Sequence, residues 1–178
     1  MLLPRQKTPD LKLPTLAHGE FDLAAENAER GTLLCFYRGL HCPICATYLT
    51  ELQKLTPDFA ERGVTTLAIS SDGEERAQAM ADKIGADGLR IAYDLPLAKA
   101  REWGLYLSTS RGKTSIGIEE PAVFSEPGLF MVTPQQTLYY GYVQTMPFSR
   151  PHFSELLGAL DFAIKNDYPA RGEYTGEV

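Results

Sequence analysis

Phe36-Tyr37-Arg38-Gly39-Leu40-His41-Cys42-Pro43-Ile44-Cys45 is the stretch on which the reading of this chain turns. An apolar run, residues 33–37, ends there; a glycine turns the chain, and a Cys-x-x-Cys pair follows. A continuous apolar run of that length is expected of a strand covered on both faces. Beyond the cysteines, Cys45, Leu49, Leu52, Leu55 and Phe59 recur at spacings of three and four, the pattern of one helix face. Pro43 suits a first helical turn, where its missing N–H costs nothing. The pair therefore falls between a buried strand and the start of a helix.

That placement favours chemistry. Unpaired backbone N–H groups and the helix dipole stabilise negative charge at a helix start, so a thiolate is favoured there over a thiol. Cys42 is expected at or just before the first turn with its sulfur exposed, and Cys45 one turn further in, on the apolar face. Cys42 then reads as the nucleophile and Cys45 as the thiol that closes the disulfide behind it. Arg38 and His41 are the nearby residues whose positive charge would lower the thiol pKa further. Cys35, inside the apolar run, reads as a small buried hydrophobe. A structural zinc site wants four ligands, and only Cys35, His18, His41 and His152 remain, scattered along the chain. No metal and no cofactor is expected.

Working outward, residues 64–70 are apolar and β-branched, a second strand. Pro57 is expected to kink or interrupt the first helix, and Gly63 to close it. Ser71 with Glu74 has the spacing of a capping box, opening a helix that Gly85 stops. Residues 89–93 form a third short strand; a helix over 95–103 follows, with Pro96 in its first turn and Gly104 at its end. Residues 129–132 and 137–143, joined by Thr133-Pro134-Gln135-Gln136, read as an antiparallel hairpin. Residues 151–165 form an amphipathic helix, and 166–178 a loose tail. The first thirty residues, with Pro4, Pro9 and Pro14, suggest short irregular strands. The order βαβαβα, then ββ, then α implies an α/β fold: parallel units plus a late antiparallel hairpin in one mixed sheet, with helices on both faces. The whole chain, 1–178, reads as one domain. The stretch 105–127 reads as a mobile excursion, and loops of that length are more often functional than idle.

Composition narrows the classes. The 178 residues carry 44% apolar and 22% charged side chains, ordinary for a globular protein. A net charge of −6 and the lack of a basic stripe argue against nucleic acid. No apolar stretch approaches membrane-spanning length, and no leader pattern is visible, so a cytoplasmic location is expected. Three cysteines are too few for a secreted disulfide framework, and a Cys-x-x-Cys beside a βαβ pattern reads as redox chemistry. Gly112-Lys113-Thr114 lacks the first glycine of a phosphate loop, Leu107 standing in its place. Asp72 and Asp94 read as turn or cap residues, and His152 as a surface or capping residue.

The chain resembles the peroxiredoxin-like members of the alkyl hydroperoxide reductase / thiol-specific antioxidant (AhpC/TSA) family, in the thioredoxin-fold superfamily. Residues 8–14 are similar to the family's "PDFxLP" lead-in, and 55–72 to its helix end, strand and "SxD" turn. Residues 128–140 are similar to its hairpin. The resemblance implies a thioredoxin-like fold and oxidoreductase activity. Against the family's P-x-x-x-T-x-x-C site, Arg38 stands at the proline, Cys42 at the threonine and Cys45 at the peroxidatic cysteine. The family's second catalytic arginine falls on Pro127. A thioredoxin instead carries its own Cys-x-x-Cys here and a cis-proline facing it, so the comparison implies a cis Glu126–Pro127 bond beside the pair. Two activities follow. In thiol–disulfide exchange, the favoured expectation, Cys42 attacks a protein or small-molecule disulfide and Cys45 resolves it. In the alternative, one of the two thiolates attacks a hydroperoxide, passes through a sulfenic acid, and Arg38 steadies the departing oxygen. The partners implied are a disulfide-containing protein or small thiol reductant, a hydroperoxide, and a second copy of the chain, since such relatives often pair. A redox-silent adaptor ranks last, because both cysteines are present.

Overall fold

The computed structural model describes residues 2–178. Seven strands form one mixed sheet. In chain order these are β1 (Lys12–Thr15), β2 (Gly19–Asp22), β3 (Gly31–Phe36), β4 (Val64–Ile69), β5 (Arg90–Ala92), β8 (Gly128–Val132) and β9 (Leu138–Val143). Their spatial order is β2-β1-β5-β4-β3-β8-β9. β3 pairs in parallel with β4, and β4 with β5, while β8 runs antiparallel to β3 and β9 to β8. The helices are α1 (Pro43–Glu61), α2 (Glu74–Ile84), α3 (Leu97–Glu102) and α4 (Phe153–Asn166). This is the mixed α/β architecture expected from the alternation of strand and helix patterns, and the thioredoxin-like fold that the resemblance implied.

β3 is buried at every residue, and its alternation serves two cores. Leu33, Cys35 and Tyr37 face one core, with Cys45, Leu49 and Phe59 of α1, Met80 of α2 and Phe153 of α4. Leu34 and Phe36 face the other, with Phe21, Trp103 and Phe130. Trp103 lies 5.6 Å from Phe36 and 5.3 Å from Phe130, ring centre to ring centre. Each fully buried side chain of that size contributes roughly 1.5–3 kcal/mol. The strand that carries the Cys-x-x-Cys at its end is thus held from both sides.

Several local expectations change. α1 runs through Pro57 without interruption. Beside the proline, Thr56 Oγ1 donates to the Leu52 carbonyl at 2.9 Å and lies 3.1 Å from Thr66 Oγ1, bracing this turn against β4. The Ser71–Glu74 box is not made: Gly73 is the N-cap of α2 and has no side-chain cap bond. α3 is shorter than the pattern implied, because Pro96 is its cap and not a first-turn residue. Residues 105–127 are not a loose excursion but fold back as a ribbon of β6 (Leu107–Thr109) against β7 (Val123–Ser125). The start of the tail is docked as well: Arg5 Nε donates to the Ala170 carbonyl at 2.8 Å, Tyr139 Oη to the Tyr168 carbonyl at 2.8 Å, and Ala170 is buried. No helix among the described residues is long and apolar enough to cross a membrane.

Candidate active site

The turn after β3 is built around Gly39. Its φ of +136° suits glycine, and a Cβ there would lie 2.7 Å from Asp72 Oδ2. Asp72, buried, fills that space. Its Oδ2 accepts from the Leu40 backbone N–H at 2.7 Å, and its Oδ1 accepts from Arg76 Nε at 3.0 Å. Burial pushes the Asp72 carboxyl up, against the lowering effect of Leu40 N–H and Arg76. Asp72 is therefore no helix cap. It ties the end of β4 to the turn that presents the cysteines.

Cys42 is the N-cap of α1, with extended backbone (φ −98°, ψ 107°) and Pro43 following at the first position. Its Sγ accepts the Cys45 backbone N–H at 3.3 Å, one of the donors a helix start leaves free. Arg150 Nη2 lies 3.2 Å from Cys45 Sγ and 3.9 Å from Cys42 Sγ. The Cys42 thiol is lowered to about 6, first by the hydrogen bond from the Cys45 side chain, then by the Cys45 backbone N–H, Arg150 and Arg38, with burial opposing. Cys45 moves the other way: burial and its bond to Cys42 raise it well above the thiol range. One shared proton thus leaves the charge on Cys42. All three cysteines are free thiols, and Cys35 is pushed up to about 12 by burial.

The sulfur of the acidic thiol is not exposed, contrary to expectation. Cys42 is 3% accessible and Cys45 is fully buried. One group that closes over them comes from the segment between β9 and α4. Arg150 reaches in from it, held by a bond from its Nε to the Pro147 carbonyl at 2.9 Å and lying 5.1 Å over the Tyr48 ring. Tyr48 Oη donates to the Pro151 carbonyl at 2.7 Å. Sequence reading passed over Arg150. It lies 105 positions from Cys45, and only the fold brings them together.

Arg38 is placed differently from the expectation. It faces the ribbon, not the sulfurs: Nη2 is 3.4 Å from Glu120 Oε1, Nε is 3.3 Å from Glu126 Oε2, and the guanidinium sits 4.7 Å over the Phe124 ring. His41 is buried with its ring 4.7 Å from Phe124. Its pKa is lowered to about 4 by burial and by the Arg38 charge, so it is neutral near pH 7 and is not the activating cation. Pro127 is buried, and Gly128 pairs with Phe36, which sets the proline at the same end of the sheet as the cysteine turn. The Glu126–Pro127 bond is trans, as is every peptide bond among the described residues. The Pro127 carbonyl accepts from Gln144 N–H at 3.3 Å. The thioredoxin-style cis-proline is therefore absent. No group of ligands among the described residues could hold a metal ion.

Known proteins share this fold. The model of the AhpC/TSA family matches residues 4–140, which include Arg38, Cys42, Cys45 and Pro127 but not Arg150. The peroxidoxin BcpB of Mycobacterium tuberculosis is similar over 91% of this chain and 98% of its own, at 18% identity and a TM-score of 0.70. The mitochondrial 2-Cys peroxiredoxin of Plasmodium falciparum covers 99% of both chains at 20% identity and a TM-score of 0.72. AhpC of Enterococcus faecalis covers 94% of this chain and 97% of its own, at 18% identity and a TM-score of 0.72. No curated protein sequence matches. At such identities the solved structures speak for the fold, and the match over most of the chain speaks for the family. The chain belongs to the AhpC/TSA family and is a redox thiol protein, an oxidoreductase on the thioredoxin fold.

Proposed function

We propose that this protein reduces small hydroperoxides, with Cys42 as the attacking thiolate and Cys45 as the resolving thiol. The observation that carries the reading is an acidic Cys42 sulfur beside a cation and a thiol donor, yet only 3% accessible. A site so closed in its reduced form favours a small oxidant over a disulfide on a protein. The trans Pro127 removes one reason for preferring disulfide exchange.

The chemistry balances as follows. Cys42 S⁻ attacks the terminal oxygen of ROOH; the S–O bond forms, the O–O bond breaks, and RO⁻ leaves to be protonated as ROH. Cys42 is then the sulfenic acid. Cys45, having lost its proton, attacks the Cys42 sulfur; the S–S bond forms and the hydroxide leaves as water once protonated. An external thiol pair reduces the disulfide by exchange. Arg150 holds the thiolate and offers N–H groups to the departing oxygen, the part first expected of Arg38. Arg38, engaged by Glu120 and Glu126, keeps the ribbon against the cysteine turn.

Thiol–disulfide exchange is the second reading. It is favoured by the acidity falling on Cys42, the first cysteine of the pair, while Cys45, at the family's peroxidatic position, is held protonated. The Cys45→Ser and Cys42→Ser variants decide between them. Each is exposed to hydrogen peroxide and, separately, to a disulfide substrate, with adducts read by mass spectrometry. The proposal expects fast sulfenic acid formation on Cys42 in Cys45→Ser. Slow peroxide consumption with rapid mixed-disulfide capture on Cys42 would give the second reading the place; sulfenylation confined to Cys45 would overturn the assignment of roles.

A further inference from the structure

The segment 144–152 is fastened in an unusual way. Its hydrogen bonds are mostly internal: the Gln144 side chain donates to the Ser149 carbonyl, Ser149 N–H donates to the Met146 carbonyl at 3.2 Å, and Arg150 Nε to the Pro147 carbonyl. It is tied to the rest of the molecule at its two ends, by Gln144 N–H on the Pro127 carbonyl and by Tyr48 Oη on the Pro151 carbonyl. Between those ties the inward contact is the Arg150 guanidinium. That group meets two sulfurs, one carbonyl of its own segment and the face of Tyr48, and no carboxylate among the described residues. Its Nη1 is buried without a partner. The outward face carries Met146, 57% exposed, and Phe148, 72% exposed. Beside it lies a cleft of about 370 Å³, lined by Ile44, Thr47, Tyr48, Glu51, Phe148 and Arg150 among others.

The counter-charge that suits Arg150 to this position is the Cys42 thiolate. When the disulfide forms, both sulfurs become neutral and weak acceptors, and the guanidinium is left enclosed without an anion. A cation in that state is driven toward water. We propose that Arg150 is a redox latch: it holds the 144–152 strap over the thiolate in the reduced protein and releases it once the Cys42–Cys45 disulfide has formed, opening the adjoining cleft to the reducing thiol. The inference deepens the dithiol reading of the previous subsection and needs only the disulfide, not the oxidant that makes it. It also reconciles a closed site, suited to a small oxidant, with a disulfide that a second thiol must approach in line.

The test is hydrogen exchange by mass spectrometry on the full chain. The disulfide is formed with diamide, so the outcome does not depend on peroxide turnover. Oxidation is expected to speed exchange of the Gln144 and Ser149 amides, the two in the strap whose N–H groups are hydrogen-bonded, by about tenfold to a hundredfold, as for loss of one charge-assisted contact. Arg150→Met should exchange fast in both redox states, and Arg150→Lys, which keeps the charge, should retain the redox difference. Cys42→Ser, which cannot ionise, should exchange fast without any disulfide, separating loss of charge from cross-linking. Equal exchange in reduced and oxidised wild type, or a Cys42→Ser strap as protected as the reduced wild type, would overturn the latch. Absence of peroxide turnover alongside a redox-dependent strap would overturn only the choice of oxidant.

Discussion

Replacing Cys45 by alanine tests the electrostatics of the pair most directly. The largest influence lowering Cys42 is the hydrogen bond from the Cys45 side chain, ahead of the backbone N–H and of Arg150. A hydrogen bond to a charged group is worth about 1.5–3 kcal/mol, which at about 1.36 kcal/mol per unit is roughly one to two pKa units. Cys42 should therefore titrate at about 7–8 in Cys45→Ala, against about 6 in the wild type. Arg150, relieved of its 3.2 Å contact with Cys45, can close on Cys42 and hold the shift toward the lower end. The assay is the rate of iodoacetamide modification of Cys42 across pH, and the readout is the midpoint. The plateau rate misleads, because a thiolate grows intrinsically more nucleophilic as its pKa rises, with a Brønsted slope of about 0.4–0.5. Cys45→Ser keeps a donor at the same place and should shift the midpoint less than alanine does. A wild-type midpoint near 8.5, or superimposable profiles for wild type and Cys45→Ala, would refute the shared-proton account.

The remaining expectations concern stability and charge. A depressed Cys42 pKa stabilises the reduced fold at high pH: the contribution is complete above the unfolded value near 8.5 and is lost as pH falls through about 6. The stability gap between reduced wild type and Cys42→Ser should therefore widen by about 2 kcal/mol from pH 6 to pH 8 in denaturant titrations. Above that window the raised Cys45 thiol opposes the trend. Asp72→Asn keeps the shape but weakens the grip on Leu40 N–H and Arg76, and should cost about 1–3 kcal/mol in the same titration. Arg38→Met strands two buried carboxylates; it should destabilise by about 3–5 kcal/mol. Its thiol midpoint should stay close to wild type, which alkylation checks, because Arg38 is the last-ranked influence on Cys42. The His41 ring should titrate by NMR at about 4, so it stays neutral from there upward and carries none of the activity's pH dependence near neutrality.

What could be read in the sequence was what is encoded locally. The apolar run at 33–37 and the three-and-four spacing from Cys45 to Phe59 are properties of neighbouring residues, and they located β3, α1 and the cysteines between them. Pro43 marked the helix start because its chemistry is that of a first turn. The errors at the site came from contacts made at long range. Ser71 and Glu74 have capping-box spacing, but Asp72 between them is drawn under Gly39, and the local device goes unused. Residues 105–127 look loose in isolation; Glu120 and Glu126 find Arg38, whose partners no local pattern marks. Cys42 was expected to be exposed because nothing near it in sequence covers it. The guanidinium that closes over its sulfur arrives from beyond position 140.

That last point bears on how the site is assembled. The family match ends at residue 140, and the sulfur-holding arginine lies ten residues past it, on the connection from β9 to α4. Within the matched region the resemblance set Pro127 at the family's second arginine; its carbonyl accepts from Gln144 N–H, the residue that opens the strap. A guanidinium delivered from a connection tied only at its ends can come and go, whereas one rooted in a sheet strand stays with the strand. The only cation touching these sulfurs, among the described residues, thus sits on a segment fastened at two points. A protein so arranged can let the charge on Cys42 decide whether its own active site is covered.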